Sequence, residues 1–338
     1  MVTLAEVARH AGVSQSTVSY VLSGKRTISA ATRRRVEKSV RDLGYRPHAG
    51  ARALASRRTS VLALVTPLRG ELDTQATMEF AIAVVTAARG HAHDVLLLTN
   101  DEGPEGLRRV AGSALVDGLI LMDVELHDER VPVLRELGLP AVLIGVPEDA
   151  SGLTCVDLDF TAAGARCVDH LADHGHRVVA MLGHRPAVYR RESGFATRAL
   201  AGFTTRARER GLEALDFACD GSRDEVGEIV AGLLARRRPV TGIVVHNETA
   251  LPALLDTLRS AGRAVPGDVS VVAIAPDDIA ERASPAVSGV NLPAEELGRR
   301  AVELLMAKLA DRPQLGATFL APQLIPRASS GPAPAQRG

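Results

Sequence analysis

The chain has 338 residues, and its 40 Lys and Arg balance its 40 Asp and Glu, so the formal net charge is zero. Three widely spaced cysteines form no disulfide or metal motif, which indicates a reducing compartment. No apolar run reaches the roughly 18 residues of a transmembrane helix, and the chain starts with a capped helix instead of a signal peptide. We therefore expect a cytoplasmic protein and exclude secreted disulfide scaffolds and membrane proteins.

The neutral average hides an uneven charge distribution. Residues 1–60 contain twelve Lys and Arg against three acids, so the remaining residues carry a matching excess of acids. A basic segment at one end suits the neutralisation of nucleic-acid phosphates. The plainer alternative is a solvated three-helix bundle that happens to be basic.

Three capped helices are predicted in this basic segment. The first starts at Thr3, because Thr3 and Glu6 have the spacing of a capping box, and it ends at Gly12. The second begins at Ser14, and Ser29 caps a third that ends at Gly44. Two short helices joined by residues 11–13 form a helix-turn-helix, which the third helix supports.

The second helix has one apolar face and one polar face. The apolar face packs toward the first helix and consists of Val18, Val21 and Leu22. The outward face consists of Gln15, Ser16, Ser19 and Tyr20. An exposed polar face on the second helix is typical of a reader of the DNA major groove.

From residue 60 onward, short apolar runs alternate with helical patterns. Buried strands are predicted at 61–65, 95–98, 118–122, 141–145, 178–182, 242–245 and 269–274. Helices are predicted at 78–89, 106–114, 162–174, 225–235, 251–261 and 294–309. This alternation predicts an α/β body with mostly parallel sheets, and its length favours two sheets with a cleft between them. The tail, 327–338, is rich in Ser, Pro, Gly and Ala and is expected to be disordered.

The motifs of the basic segment resemble those of the lac/galactose repressor family. The matching stretches are 2–8, 11–14, 17–19, 29–33, 43–47 and 51–55, and a looser similarity extends to about residue 326. The resemblance implies a helix-turn-helix DNA-binding domain (1–46), a hinge helix and linker (47–59), and a periplasmic-binding-protein-like effector-binding and dimerisation domain (60–326). Within that domain, the first subdomain is expected to hold 60–160 and 290–320, and the second 161–289.

The resemblance also implies how the DNA is contacted. Gln15 and Ser16 reach base edges, and the phosphate-binding residues are Thr3, Ser14, Thr17, Ser19, Ser29 and Thr32. Tyr20 stands where relatives commonly have an arginine, and it is open to contact a thymine methyl or a phosphate instead.

The hinge is the second implied DNA contact. Two alanine-rich hinge helices cross closely, and Leu54 enters the minor groove at the centre of a palindrome, with His48 and Ala51 beside it. The alternative interpretation is a flexible basic linker with an incidental leucine.

A small-molecule effector, with a sugar or glycoside favoured, is the partner that the resemblance implies for the body. The implied effector residues are Leu68, Tyr189, Arg198, Asn247, Asp277 and Asn291; Asp278 is an alternative to Asp277, and Arg190 or Arg191 to Arg198. Three positions differ from the sugar-binding pattern, namely Gly145, Ala199 and Leu292.

The predicted function is that of a homodimeric, effector-controlled transcriptional regulator, more specifically a repressor on palindromic DNA, without a cofactor. His170, His174 and His176 have a spacing compatible with zinc, but the helix end on which they lie favours a structural role. No catalytic set is recognisable, so an α/β enzyme fused to a DNA-binding head is the less favoured alternative. A regulator controlled by a partner protein is the other alternative.

Overall fold

The computed structural model describes residues 2–23, 26–45, 58–69 and 74–335. The N-terminal head contains three helices, α1 (Leu4–Ala11), α2 (Gln15–Ser23) and α3 (Ala30–Asp42). Their core is built around Val7, Val18 and Val36, none of which is accessible to solvent. Leu22, which was expected to pack inward, instead remains 38% exposed.

The first subdomain is built on a six-stranded sheet. Its strands are β1 (Val61–Val65), β2 (Asp94–Leu98), β3 (Gly118–Leu121), β4 (Ala141–Ile144), β5 (Thr154–Leu158) and β11 (Gly316–Leu320). All pair in parallel, in the order β11-β5-β4-β3-β1-β2. The helices of this part are α4 (Thr74–Gly90), α5 (Gly103–Gly112), α6 (Arg130–Glu136) and, later in the chain, α13 (Ala294–Leu309).

The second subdomain has a sheet of the same size. Its strands are β6 (Val178–Gly183), β7 (Glu213–Ala218), β8 (Gly242–Val245), β9 (Ser270–Ala275), β10 (Ser288–Asn291) and β12 (Leu324–Ile325). The order is β12-β10-β9-β8-β6-β7, and only β12 is antiparallel to its neighbour. The helices are α7 (Phe160–Asp173), α8 (Pro186–Arg190), α9 (Gly194–Glu209), α10 (Arg223–Leu234), α11 (Ala250–Ser260) and α12 (Asp277–Arg282). The predicted fold class is confirmed.

The chain passes between the two sheets three times. It crosses after β5, again between β10 and α13, and a third time between β11 and β12. Residues at the carboxyl ends of the strands in both sheets therefore line the space between the subdomains, which is where open α/β sheets bind ligands.

Helices α7 and α9 pack unusually closely in the second subdomain. A Cβ atom on Gly202 would lie 2.0 Å from the carbonyl oxygen of Thr161, and one on Gly164 would lie 2.2 Å from that of Ala199. Glycine at both positions lets the two backbones approach, and Phe203 is fully buried beside this contact.

The expectation of a disordered tail is wrong for residues 327–335. Ser329 is fully buried, and its hydroxyl donates to the carbonyl of Val271 at 2.6 Å and accepts from the Ser288 amide at 2.8 Å. Arg327 contacts Asp277 at 2.7 Å. The small polar residues that indicated disorder instead pair with groups of β9 and β10 in the second sheet.

His170 and His176 hold the same C-terminal segment. His170 Nε2 lies 2.7 Å from the Ser330 hydroxyl, and His176 bridges Thr241 and the Gly331 carbonyl. Both rings are thereby used in packing.

No helix within the described ranges is long and apolar enough to cross a membrane.

Candidate DNA-binding head and effector cavity

The N-terminus of α1 is fixed by the predicted capping box. The Thr3 hydroxyl accepts from the Glu6 amide at 3.3 Å, and the Thr3 amide donates to the Glu6 carboxylate at 2.7 Å. Gly12 ends the helix with a positive φ of 65°, which a glycine adopts without strain. The turn before α2 is therefore set by local chemistry.

The helices α2 and α3 begin with serine caps. Ser14 Oγ accepts from the Thr17 amide at 3.2 Å, and Ser29 Oγ accepts from the Thr32 amide at 3.3 Å. Thr3, Ser14 and Ser29 are all exposed, so their hydroxyls lie at helix N-termini that face solvent. Such N-termini carry partial positive charge and favour phosphate oxygens.

The outward face of α2 is accessible. Gln15, Ser16 and Tyr20 are exposed, while Thr17 and Ser19 are half-buried. The guanidinium of Arg26 lies 5.8 Å from the centre of the Tyr20 ring, within the range of a cation–π contact. The predicted hinge residues His48, Ala51 and Leu54 lie outside the described residues.

A cavity of about 130 Å³ lies between the two subdomains. The first subdomain contributes Thr66, Ala76, Thr77, Phe80, Met122, Asp123, Val124, Ile144, Gly145, Asp157 and Leu297, together with Leu292 from the crossing segment. The second contributes Phe160, His184, Phe195, His246 and Glu248. Two of the three positions that differ from the sugar-binding pattern, Gly145 and Leu292, are therefore on the cavity wall.

Four rings form an aromatic cluster on the side of the second subdomain. The ring centres of His184 and His246 are 4.6 Å apart, those of His184 and Phe195 are 5.0 Å apart, and Phe160 lies 5.8 Å from both Phe195 and His246. Burial lowers the pKa of His184 to about 4 and also lowers that of His246, so both imidazoles are neutral at physiological pH.

Asp157 is the buried acid on the side of the first subdomain. It ends up on the cavity wall because it lies near the carboxyl end of β5, and it is only 4% exposed. One carboxylate oxygen accepts from the Leu158 amide at 2.9 Å, while Oδ2 has no hydrogen-bond donor among the described residues. Burial raises the pKa of Asp157 to about 7, although Arg198 opposes this by attraction.

Five charged side chains from both subdomains form ion pairs at the rim of the cavity. We call them the rim cluster: Arg69, Asp101, Asp123, Glu125 and Arg191. Arg69 pairs with Asp101 at 2.9 Å and closely with Asp123. Arg191 of the second subdomain approaches Asp123 at 3.6 Å and Glu125 at 3.3 Å. The Gly194 amide also donates to the Val124 carbonyl at 3.0 Å, so side-chain and backbone contacts close this side of the cleft.

Three of the predicted effector residues are used for packing. Asn247 donates to the Cys219 carbonyl at 2.8 Å and accepts from the Thr249 hydroxyl at 2.6 Å. Asp277 pairs with Arg327, and Asn291 accepts from the Asp277 amide at 3.1 Å. Asp277 and Asn291 lie together in a separate surface recess, not in the cavity between the sheets.

The other three lie around the cavity without lining it. Leu68 is 46% exposed, and the Tyr189 hydroxyl accepts from the His184 amide at 3.3 Å. Arg198 is close enough to Asp157 to influence its pKa, and its buried Nη1 has no acceptor among the described residues. Of the six, Arg198 is the one electrostatically tied to the cavity.

Comparison with known proteins shows how the two parts are related to other regulators. A model of bacterial regulatory proteins of the lacI family matches residues 3–48, and one of a periplasmic binding protein-like domain matches residues 168–330. The transcriptional regulator CelR of Thermobifida fusca is 32% identical, covering 91% of this chain and 92% of CelR. The chain belongs to the lacI family of bacterial regulatory proteins.

Further comparisons agree with this membership. The repressor PurR of Photobacterium profundum is 29% identical, covering 97% of this chain and 98% of PurR. A structure described as a CelR–cellobiose complex aligns with a TM-score of 0.65 at 28% identity, covering 97% of this chain and 100% of that one. A Lac repressor dimer bound to operator and an anti-inducer aligns at 0.84 and 23% identity, covering 98% and 99%. As a member of this family, the chain is a DNA-binding transcriptional regulator and not an enzyme.

Sequence reasoning about this lacI-family body missed Asp157, Phe195 and His184. The sequence signal for Asp157 was its position as a single acid in the otherwise apolar run Val156–Leu158. Because burial of a charged side chain in a sheet is costly, an acid at such a position indicates a functional site. The aromatic cluster gave no signal of its own, because its four rings come from separate elements that only the fold brings together.

Proposed function

We propose that this regulator is a cytoplasmic repressor that binds a palindromic operator as a homodimer and changes its affinity when a small effector, with a sugar or glycoside favoured, enters the cavity between the subdomains. The observation that carries the proposal is one chain with a basic helix-turn-helix head and a two-sheet body that encloses this cavity. Such a body can close on a ligand and transmit the change to the head.

For DNA reading, we assign the bases to the exposed face of α2. Gln15 and Ser16 are in its first turn, nearest to the groove floor, and Tyr20 is one turn further on. Thr3, Ser14, Thr17, Ser19, Ser29 and Thr32 are assigned to phosphates. Tyr20 beside Arg26 offers a flat apolar surface with a nearby cation, which suits a thymine methyl next to a phosphate.

For dimerisation, we assign an apolar surface on the first subdomain. Ile82 and Val85 on α4 are 64% and 41% exposed, and Leu96 and Leu97 on the edge strand β2 are 38% and 40% exposed. A group of exposed large apolar side chains on neighbouring elements is typical of a subunit interface. A second copy of the chain is the expected occupant, in line with the operator-bound Lac repressor dimer.

For the effector, the support is the position of the cavity and the relatives. The CelR structure is described as a cellobiose complex, which favours a sugar-like molecule for this chain too. A ligand that contacts both subdomains favours the closed arrangement and so has the differential affinity that regulation requires.

The test is a fluorescence-anisotropy titration of the purified protein on palindromes from its own upstream region, with random DNA as the reference. We expect operator binding that sugars or glycosides change. An Ile82→Lys variant is expected to be monomeric by light scattering and to bind the operator more weakly, because it loses the second half-site. Asp224→Asn, which changes an exposed acid on α10 of the second subdomain, is the control. Failure to prefer any palindrome over random DNA would overturn the proposal.

A further inference from the structure

The cavity between the subdomains combines buried carboxylates with aromatic rings. The first subdomain presents the carboxylates of Asp123 and Asp157 beside the Phe80 ring, and the second presents the rings of Phe160 and Phe195 with two neutral imidazoles. Carboxylates and aromatic faces that line one cavity are the two features that recognise an organic cation.

The charges around the cavity leave an excess of acids. The rim cluster contains three carboxylates against two guanidiniums. Deeper in, Asp157 is influenced by Arg198, which does not itself line the cavity. The described lining itself contains no lysine or arginine. The rim cluster and the cavity lining together therefore favour a positively charged ligand over a neutral or an anionic one.

Two carboxylate oxygens of the cavity lining favour a ligand that donates, whereas Arg198 Nη1, a donor without an acceptor among the described residues, belongs to a residue outside the lining. Asp157 Oδ2 and Asp123 Oδ1 are buried oxygen atoms for which the described residues supply no donor. A buried carboxylate oxygen without a donor is costly, so a ligand N–H that reaches it gains a charge-assisted hydrogen bond and removes this cost.

The volume limits the size of the ligand. A cavity of about 130 Å³ is close to the roughly 150 Å³ in which a buried apolar site accommodates one benzene ring. With this volume the site fits a molecule with one six-membered ring and is too small for a disaccharide.

We propose that the effector is a compact organic amine, bound as its ammonium ion, with the charged group at Asp157 and the carbon skeleton against Phe160 and Phe195. An amino sugar is the sugar-like member of this class. The inference rests on the effector site of the proposed function. Because the carboxylate and the rings belong to different subdomains, the bound amine holds them together.

The experiment compares amines with alcohols of the same shape. Glucosamine and glucose form one pair, and benzylamine and benzyl alcohol form another. Binding to the full-length protein is measured at neutral pH by calorimetry and by the shift of the melting temperature. We expect at least one amine to bind about tenfold more tightly than its alcohol, since the ammonium group adds a charge-assisted hydrogen bond.

Two variants localise the site. Asp157→Asn is expected to remove most of the preference for the amine, and Phe195→Leu is expected to weaken binding of the same amine through loss of the ring face. Asp224→Asn, which changes an exposed acid on α10 away from the cavity, serves as the matched control and is expected to bind like the wild type. The comparison within the wild-type protein stands even if one variant does not fold.

The outcomes separate this inference from the proposed function. Equal or tighter binding of the alcohols, or no binding of either amine, would overturn the cation assignment. An unchanged amine preference in Asp157→Asn would overturn the role of that residue. If neutral sugars alter operator binding while the amines do not, the effector-controlled repressor stands and the amine inference fails; if the protein does not select a palindrome, the proposed function fails, whatever binds in the cavity.

Discussion

Replacement of Asp157 by asparagine is expected to stabilise the protein, in a way that depends on pH. Burial raises the pKa of this carboxyl from its ordinary 3.8 to about 7. The folded state therefore binds an extra proton between these two values, and stability falls as the pH rises from about 4 to 7. At one pKa unit per 1.36 kcal/mol, the buried charge costs about 4 kcal/mol above pH 7.

The introduced asparagine is not ionised at any of these pH values, so its advantage follows the ionisation of the aspartate. We expect the variant to exceed the wild type by about 4 kcal/mol at pH 8 and by less than about 2 kcal/mol at pH 5. The asparagine carbonyl can still accept from the Leu158 amide, so the local hydrogen bond is kept. Attraction to Arg198 and repulsion from Asp159 are included in the raised pKa.

The assay is urea unfolding, followed by circular dichroism at several pH values between 5 and 8, without ligand. The quantity of interest is the difference in unfolding free energy between variant and wild type, because other titrating groups cancel in it. Asp224→Asn is the control and should give a difference that does not change with pH. A difference for Asp157→Asn that is constant across this range, or that becomes more destabilising as the pH rises, would refute the reasoning.

Three further predictions concern the head, the helix contact and the aromatic cluster. Gln15→Ala is expected to weaken operator binding by about 1–3 kcal/mol while leaving random DNA unaffected in anisotropy titrations, because it removes a base contact only; equal losses on both DNAs would contradict this. Gly202→Ala is expected to lower the unfolding free energy, measured in urea, by more than about 3 kcal/mol, because its Cβ would lie 2.0 Å from a backbone oxygen. In the control Gly227→Ala on α10, the added Cβ meets nothing within 4 Å, so that variant should be neutral or stabilising. Burial holds the pKa of His184 at about 4, so the protein loses unfolding free energy as the pH falls from 6.5 toward 4. His184→Gln should remove part of this loss. Urea midpoints that fall in parallel for variant and wild type would contradict the prediction.

The central strands of the fold could be predicted from the sequence. Continuous apolar runs predicted β1, β3 and β4 to within one residue, since central strands covered on both faces must be apolar throughout. Five strands were not predicted, namely β5, β7, β10, β11 and β12, and the first two show why. β5 contains Asp157, and β7 is an edge strand with the exposed alternation of Glu213–Ala218. Neither has the uniform run that the prediction relied on.

The candidate site was readable only in part, for a related reason. Asn247 and Asp277 follow strands of the second sheet, as the sequence indicated, but the first is held by Cys219 and Thr249 and the second by Arg327. A polar residue after a strand satisfies the pattern equally well when it binds a ligand and when it caps a turn. Which of the two applies depends on partners that are distant in sequence, such as the C-terminal segment that carries Arg327.

The residues that lead into the body are fixed to the first subdomain by Asp117. Asp117, just before β3, accepts hydrogen bonds from the Thr59 amide at 2.6 Å, the Thr59 hydroxyl at 2.9 Å and the Ser60 amide at 2.8 Å. Ser60 is held with a positive φ of 56°, an uncommon conformation for a serine. The end of the linker is thus fixed to the first subdomain, the one that carries Asp123 and Asp157. Under the proposed function, we expect a ligand that draws these carboxylates toward the rings of the second subdomain to move this anchor, and in a dimer to change the separation of the two heads.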